Sequence, residues 1–487
     1  MDRRARNRLA LRRPGGDPLP NGRRPRPPGE PHGRAVPVPA HRPAHRGLRQ
    51  ARAAGAARRL RARHLRPRGR RHGRHRDRPL HRERQRPGHR RRRIRRGLRA
   101  ARRRRPPGRG AARGGGGVKA RLARRQFADL LTWAAKQLDA KPSNPILSCL
   151  LIEASEDQVT VSGISDCGDA RATLPADVME PGRIAVSGLM AAQVMSAYKS
   201  ELVELADANQ QLEITADRDV FRLSVFPAHD YPGLAARRNV DGTVEASDLL
   251  AAVKQVAKAT QYNYKEIGNE LWRSGIEFAA EGDQLLVWAT DRYRMAARSI
   301  PWTPAREHGR LETLMVGSFL EAAVKGLDGT IGLSLAGKTV GVGDQVRSST
   351  IGLIDPGNRI PYKRFPTTGD TEAIVPVAEL VDTVRRTTLV TGDGKPKILL
   401  GFGGDDITVR AVGADTGAVA LNHIDGQHLG GPELQIAFNS GYLLDAFTAA
   451  NVPDVRVHLT TPTRPAVITA ADPEASSYQH VLMPVRL

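Results

Sequence analysis

The chain is poor in cysteine. Cys149 and Cys167 are its only two, too few for a disulfide framework, and no CxxC or His/Cys spacing suggests zinc. A reducing, cytoplasmic setting is the expectation. Long apolar runs are missing too, since none approaches the roughly 18–20 residues that span a bilayer. The charged start at Met1 has no apolar stretch behind it, so no secretory signal is read there. Catalytic constellations are also absent. Gly392-Asp-Gly-Lys395 lacks the GxxxxGK[ST] spacing of a phosphate loop. Gly401-Phe-Gly-Gly is too short for a dinucleotide fingerprint, and GxSxG does not occur. His229-Asp230 is a single pair, a weak basis for a metal site, and Glu153, Glu156 and Asp157 read as a solvated turn. No enzyme, cofactor or metal is expected.

The first 118 residues contain no Lys, Phe, Trp or Tyr, and one Ile, Ile94. They hold 41 Arg against five acids: Asp2, Asp17, Glu30, Asp77 and Glu83. The +27 of the whole chain therefore divides into +36 there and −9 in the rest. Such a segment cannot build a core, and its charge opposes collapse. Arg90–Arg93 and Arg102–Arg105 have the chemistry to hold phosphates non-specifically. Arg, Pro, Gly and Ala are also the residues of GC-rich codons. Residues 1–117 therefore read as a disordered leader, translated without selection for folding. The functional start is expected at or near Val118, a valine that a GTG start codon would leave.

What is there is a repeat. Gly242-Thr-Val-Glu-Ala-Ser-Asp-Leu-Leu250 reads as a short strand and a cap, Ser247 or Asp248, leading into a helix. Leu249, Leu250, Val253, Val256 and Ala257 fall on one face of that helix. The unit recurs at Ile184–Leu189 with Met190, Val194 and Ala197. It recurs at Thr313–Ser318 with Phe319, Leu320, Ala323 and Leu327, and at Ile374–Ala378 with Leu380, Val381 and Val384. Leu434–Ser440 leads into Tyr442, Leu443 and Phe447, and Lys119–Leu122 into Phe127, Leu131, Ala134 and Leu138. With caps at Arg125, Ser187, Ser247, Ser318, Ala378 and Ser440, the intervals are 62, 60, 71, 60 and 62 residues. A fixed period of this kind decides architecture.

Alternating runs lie between the helices: Val159–Ser162, Leu212–Thr215, Gln284–Trp288 and Ile407–Arg410 predict strands. Gly392–Lys395 and Gly403–Asp406 predict tight turns. The class is α+β, with helices on one face of antiparallel sheets. Six repeats pair into three similar domains, 118–238, 239–366 and 367–487. Opposite the apolar stripes stand Lys136, Lys199, Lys254, Lys258, Lys325 and Arg386. In a body of net charge −9, these would draw a polyanion to the helix face.

Trp288-Ala-Thr-Asp-Arg-Tyr-Arg-Met-Ala296 resembles a signature of the bacterial DNA polymerase III beta subunit, the beta sliding clamp family. Phe226-Pro-Ala-His-Asp-Tyr-Pro232, Phe438-Asn-Ser-Gly-Tyr-Leu-Leu-Asp445 and Val481-Leu-Met-Pro-Val-Arg-Leu487 are similar to further segments of it. The resemblance runs in order from Val118 to Leu487. It implies a head-to-tail homodimeric ring around duplex DNA, with helices lining the hole and sheets outside. It implies partners: the polymerase III alpha subunit, the clamp loader, and other replication and repair proteins. It also implies a peptide pocket between the second and third domains. Carried over, that pocket is lined by Thr290, Arg292, Tyr293, Arg294, Met295, Phe365, Tyr442, Val481, Met483, Pro484, Val485 and Arg486. Met295, Met483 and Pro484 would give apolar contact, and Arg294 and Arg486 would orient carbonyls or a carboxylate.

Two departures from the family touch the pocket. Arg273 stands where an aliphatic residue is usual, and its guanidinium is expected to enter the cleft and narrow it. The loop Ile354–Tyr362 lacks the usual acidic, glycine-containing lead. Both leave room for a paralogous clamp or a non-encircling scaffold.

Overall fold

In the computed structural model, residues 117–487 are described, apart from 140, 143, 237–238, 262, 393–395, 405, 414–415 and 487. The Arg-rich leader lies outside the described residues, as does most of the Gly392–Lys395 turn.

The period seen in the sequence is a period of structure. The first repeat is β1 (Lys119–Ala123), α1 (Arg124–Ala135), β2 (Cys149–Ser155), β3 (Gln158–Ser165), β4 (Gly168–Pro175) and the short β5 (Asp177–Glu180). The second is β6 (Gly182–Ser187), α2 (Gly188–Ala197), β7 (Leu202–Ala208), β8 (Gln211–Ala216) and β9 (Asp219–Phe226). The third is β10 (Gly242–Glu245), α3 (Ala246–Ala257), β11 (Gly275–Glu281), β12 (Gln284–Thr290), β13 (Arg294–Pro301) and β14 (Thr303–Pro304). The fourth is β15 (Leu311–Val316), α4 (Gly317–Val324), β16 (Thr330–Ser334), β17 (Thr339–Gly343) and β18 (Arg347–Gly352). The fifth is β19 (Thr371–Pro376), α5 (Val377–Thr387), β20 (Lys397–Phe402), β21 (Ile407–Val412), β22 (Val419–Ile424) and β23 (Gln427–Gly430). The sixth is β24 (Leu434–Asn439), α6 (Ser440–Ala450), β25 (Asp454–Leu459), β26 (Ala466–Ala470) and β27 (Gln479–Leu482). The fold is α+β, with every described strand pair between these elements antiparallel.

Helix starts differ from the expected caps. Each helix follows its strand without a turn residue, so the N-caps are Ala123, Ser187, Glu245, Val316, Pro376 and Asn439. Of these side chains only Asn439 accepts a first-turn N–H, that of Tyr442 at 3.1 Å. Ser187 occupies its expected cap position but makes no such bond. Ser247 lies inside the first turn, exposed. Burial of one face, rather than capping, holds these helices.

The apolar faces fall as read in five helices. Leu249, Val253 and Val256 are buried in α3, and Phe319, Leu320 and Ala323 in α4. In α2 the reading was out of phase. Met190 is 51 % exposed and Ala197 also faces solvent, whereas Gly188, Ala191, Ala192 and Met195 are buried. Mostly small residues carry that buried face, because Leu138, just past α1, and Leu150 of β2 press on it: a Cβ on Gly188 would meet them at 2.7 and 2.9 Å.

The repeats join through their last long strands. β4 pairs with β18, setting Ala172 opposite Arg347 and Gly168 opposite Ile351. β13 pairs with β27, setting Arg294 opposite Leu482 and Ala297 opposite Gln479. Of this set of six strands β9 and β22 remain. Each has an outer edge that no described strand pairs along Asp219–Ser224 and Val419–Ile424.

Candidate nucleic-acid face and partner cleft

All six predicted basic side chains are exposed. Their positions are more specific than the sequence suggested. Lys136, Lys258 and Lys325 are the C-caps of α1, α3 and α4, and Lys199 follows the α2 C-cap, Tyr198. Only Lys254 and Arg386 lie within helices. A cation there meets the negative end of a helix dipole, so part of its role is local. Lys258 also lies 3.8 Å from Asp445 on α6.

Lys136 and Lys325 share a cavity of about 760 Å3 with Lys141 and Lys265, two lysines the sequence reading missed. Its wall is a joint between the first and third repeats. Asp139 accepts the Tyr264 hydroxyl at 2.9 Å and the Asp166 N–H at 2.8 Å, and pairs with Lys265 at 2.9 Å. Burial raises the Asp139 pKa, but these hydrogen bonds outweigh it and hold the carboxyl below its ordinary 3.8. A depressed pKa stabilises the fold above the unfolded value, and that contribution is lost as pH falls through the folded one. Asp139→Asn should therefore cost about 2 kcal/mol at pH 7. The deficit against wild type should close as pH falls from 7 through the lowered folded-state value, which denaturant melts at neutral and strongly acid pH would show.

The cleft is built on β12, the turn after it, and β13. Asp291 accepts the N–H groups of Tyr293 and Arg294 at 3.0 and 3.1 Å, and Thr290 Oγ1 donates to the Arg294 carbonyl at 2.7 Å. These bonds fix a turn in which Arg292 has φ +88°, a strained value for a residue with a side chain. A cavity of about 280 Å3 opens beside it. It is lined by Thr290, Arg292 and Phe365, by Asn358, Arg359 and Ile360 of the loop Ile354–Tyr362, and by Trp272, which the sequence did not single out. Trp272 lies in a short 3-10 helix, Gly268–Ser274, too short to leave a periodic signal.

The remaining predicted residues divide. Met295 and Val481 are fully buried with Trp288, Ala297 and Val467, so they form the floor and offer no surface to a peptide. Arg294 is buried too. It is held by Asp291 at 3.0 Å and Asp445 at 2.7 Å, and lies 4.2 Å over the Tyr442 ring. It is a strut between the third and sixth repeats, not a mobile anchor for a carboxylate. Tyr293 and Met483 are exposed and adjacent, since the Met483 N–H donates to the Tyr293 carbonyl at 2.9 Å. Pro484 is half-buried. Val485 turns away to the Ala437 carbonyl, and the Arg486 carbonyl accepts from Lys397.

The Arg273 guanidinium, expected to enter the cleft and narrow it, does not line the cavity. Its Nε donates to the Asp291 carbonyl at 3.2 Å and its Nη1 to Glu270 at 3.1 Å. Glu270 also pairs with Arg292, so three charged groups close one rim. The group that enters the cavity is Arg359. It pairs with buried Glu277 and sits 5.2 Å over the Trp288 ring. Burial pulls its pKa below the usual value, though a guanidinium so paired keeps its charge. Among the described residues no cluster of His, Cys, Asp and Glu could hold a metal ion, both cysteines are free, and no helix is long and apolar enough to cross a membrane.

The chain matches the DNA polymerase III beta subunit, N-terminal domain, over residues 118–235 and the C-terminal domain of that subunit over 363–486. A beta sliding clamp of Streptomyces coelicolor is 31 % identical over 382 residues, covering 76 % of this chain and 100 % of that protein. The beta sliding clamp homolog GriR of Streptomyces muensis is 28 % identical, covering 76 % and 99 %. The DNA polymerase III beta subunit of Thermotoga maritima superposes with a TM-score of 0.69 at 22 % identity, covering 76 % of this chain and all of that one. A Pseudomonas aeruginosa sliding clamp bound to griselimycin gives the same figures. The repeats, the joined sheets and a relative at 31 % identity over its whole length thus agree: the chain belongs to the DNA polymerase III beta subunit family, the beta sliding clamps, non-catalytic processivity factors of DNA polymerase III.

Proposed function

We propose that residues 118–238, 239–366 and 367–487 are three clamp domains. Two copies close them into a ring around duplex DNA. The observation that carries this reading is the pair of unpaired edges. Inside the chain, β4 meets β18 and β13 meets β27. The same rule applied once more joins β22 of one copy to β9 of the next. Both edges carry exposed apolar side chains: Val220 (43 %) and Phe221 (44 %) on β9, Val419 and Leu421 (56 % each) on β22. Soluble monomers blunt such edges, so these fit a partner strand. Two such joints close a ring of two.

The basic ends of α1 to α4 then face the duplex through phosphates alone, without reading sequence. The cleft at Thr290–Phe365, with Tyr293, Tyr442 and Met483 beside it, receives short segments of the polymerase alpha subunit, loader subunits and other partners. Its apolar floor and few charged rim groups are the usual make-up of a ligand cleft. Retention on DNA would be topological. Loaded on nicked circular DNA, the protein should stay bound through gel filtration and should be lost once the circle is linearised. Equal retention on both forms would reject encirclement.

A further inference from the structure

The two joints inside the chain are each locked by the same device. The tenth residue of α1, Trp133, donates its indole N–H to the Ala323 carbonyl of α4 at 3.2 Å. The tenth residue of α3, Gln255, donates its amide to the Ala449 carbonyl of α6 at 2.8 Å and to Ala450 at 3.3 Å. Both donors are buried. Both reach the last turn of a helix, where carbonyls have no partner in their own helix. α1 thus meets α4 and α3 meets α6. Of the six helices, α5 and α2 have no such counterpart among the described residues.

The tenth residue of α5 is Arg386. Sequence reading set it among the DNA-facing residues. Within the protomer its Nη2 donates to Thr383 Oγ1 on its own helix at 2.9 Å, and the side chain stays exposed. At the end of α2, Ser196 and Ala197 are also exposed. We infer that Arg386 is the third member of this series, and that its guanidinium donates to the last-turn carbonyls of α2 in a second copy of this chain. A guanidinium suits that place doubly, since it supplies several donors and meets the negative end of the α2 dipole. Arg385, its neighbour, has Thr132 and Lys254 as counterparts and belongs to no joint. The inference rests on the ring reading above.

The test is self-association of the full chain without DNA, followed by energy transfer between labelled copies on dilution. Each ring has two seams, so a loss of about tenfold at each becomes about a hundredfold in the dimer constant. Arg386→Glu should weaken association by about that factor, because a carboxylate would oppose the carbonyls. Arg386→Gln should stay within about fivefold of wild type, since an amide performs this task at Gln255. Arg385→Glu, with the same charge change one residue away, should stay within about threefold. Unchanged association in Arg386→Glu, while Leu421→Lys abolishes the dimer, would overturn the role of Arg386 and leave the ring standing. Equal losses in Arg385→Glu and Arg386→Glu would reduce the effect to net charge and also overturn it. A wild-type chain that is monomeric at tens of micromolar would overturn both.

Discussion

Leu421→Lys should leave the chain monomeric at micromolar concentrations where wild type is a dimer. Leu421 is more than half exposed on an edge strand, and Val419 beside it is equally so. In a ring the β22 edge meets β9, whose Val220 and Phe221 are also open. Burying one leucine is worth about 1.5–3 kcal/mol. The substitution enters both seams, so the dimer loses about twice that, roughly two to four decades in its constant. A lysine adds the cost of a desolvated ammonium, as edge lysines do in sheets that avoid pairing. Because Leu421 is exposed in the protomer, the melting temperature of the monomer should hardly move. Sedimentation velocity would show the change in mass, and retention on circular DNA should vanish with it. A Leu421→Lys chain that remains dimeric would place the seam elsewhere.

The second large effect concerns the duplex. Lys136→Glu, Lys199→Glu, Lys254→Glu and Lys258→Gln together should weaken association with linear DNA equally for every sequence. The log–log dependence of affinity on salt should flatten by about four, one for each phosphate contact. Glutamine is the choice at position 258 because a carboxylate there would confront Asp445, which also holds Arg294 at 2.7 Å. The change then tests phosphate contact and not the joint between α3 and α6. Anisotropy titrations across a tenfold range of salt measure the slope. An unchanged slope, or a loss confined to some sequences, would reject a phosphate-only face. The C-cap positions of Lys136 and Lys258 predict a small loss of helix stability as well, a few tenths of a kcal/mol each, separable by melting curves.

The amino-acid order by itself settled what is periodic. Six strand–helix starts near one spacing, the apolar stripes of α1, α3, α4, α5 and α6, and alternating runs such as Gln284–Trp288 are local patterns. Local patterns are legible because helix and strand geometry impose fixed periods. The signature from Trp288 to Ala296 marked the cleft for a similar reason: its Thr290, Asp291 and Arg294 bond to one another within five residues.

Where side-chain chemistry is spread along the chain, the fold decides. In α2 most of the buried face is glycine and alanine, with Met195, and these small residues look neutral in sequence and become core only because Leu138 and Leu150 press on them. Arg273 and Arg359 are both arginines beside the cleft. The Asp291 carbonyl, 18 residues on, helps the nearby Glu270 hold the first along the rim, while the distant Glu277 and Trp288 draw the second inside. Met295 and Arg294 read as contact residues and became floor and strut, since β27 and α6 cover them. The sequence determined the repeat and its faces, because those depend on neighbours three or four positions away. Only the tertiary structure decided which strands join, which edges stay open and which charges meet, because those partners lie tens to hundreds of residues apart.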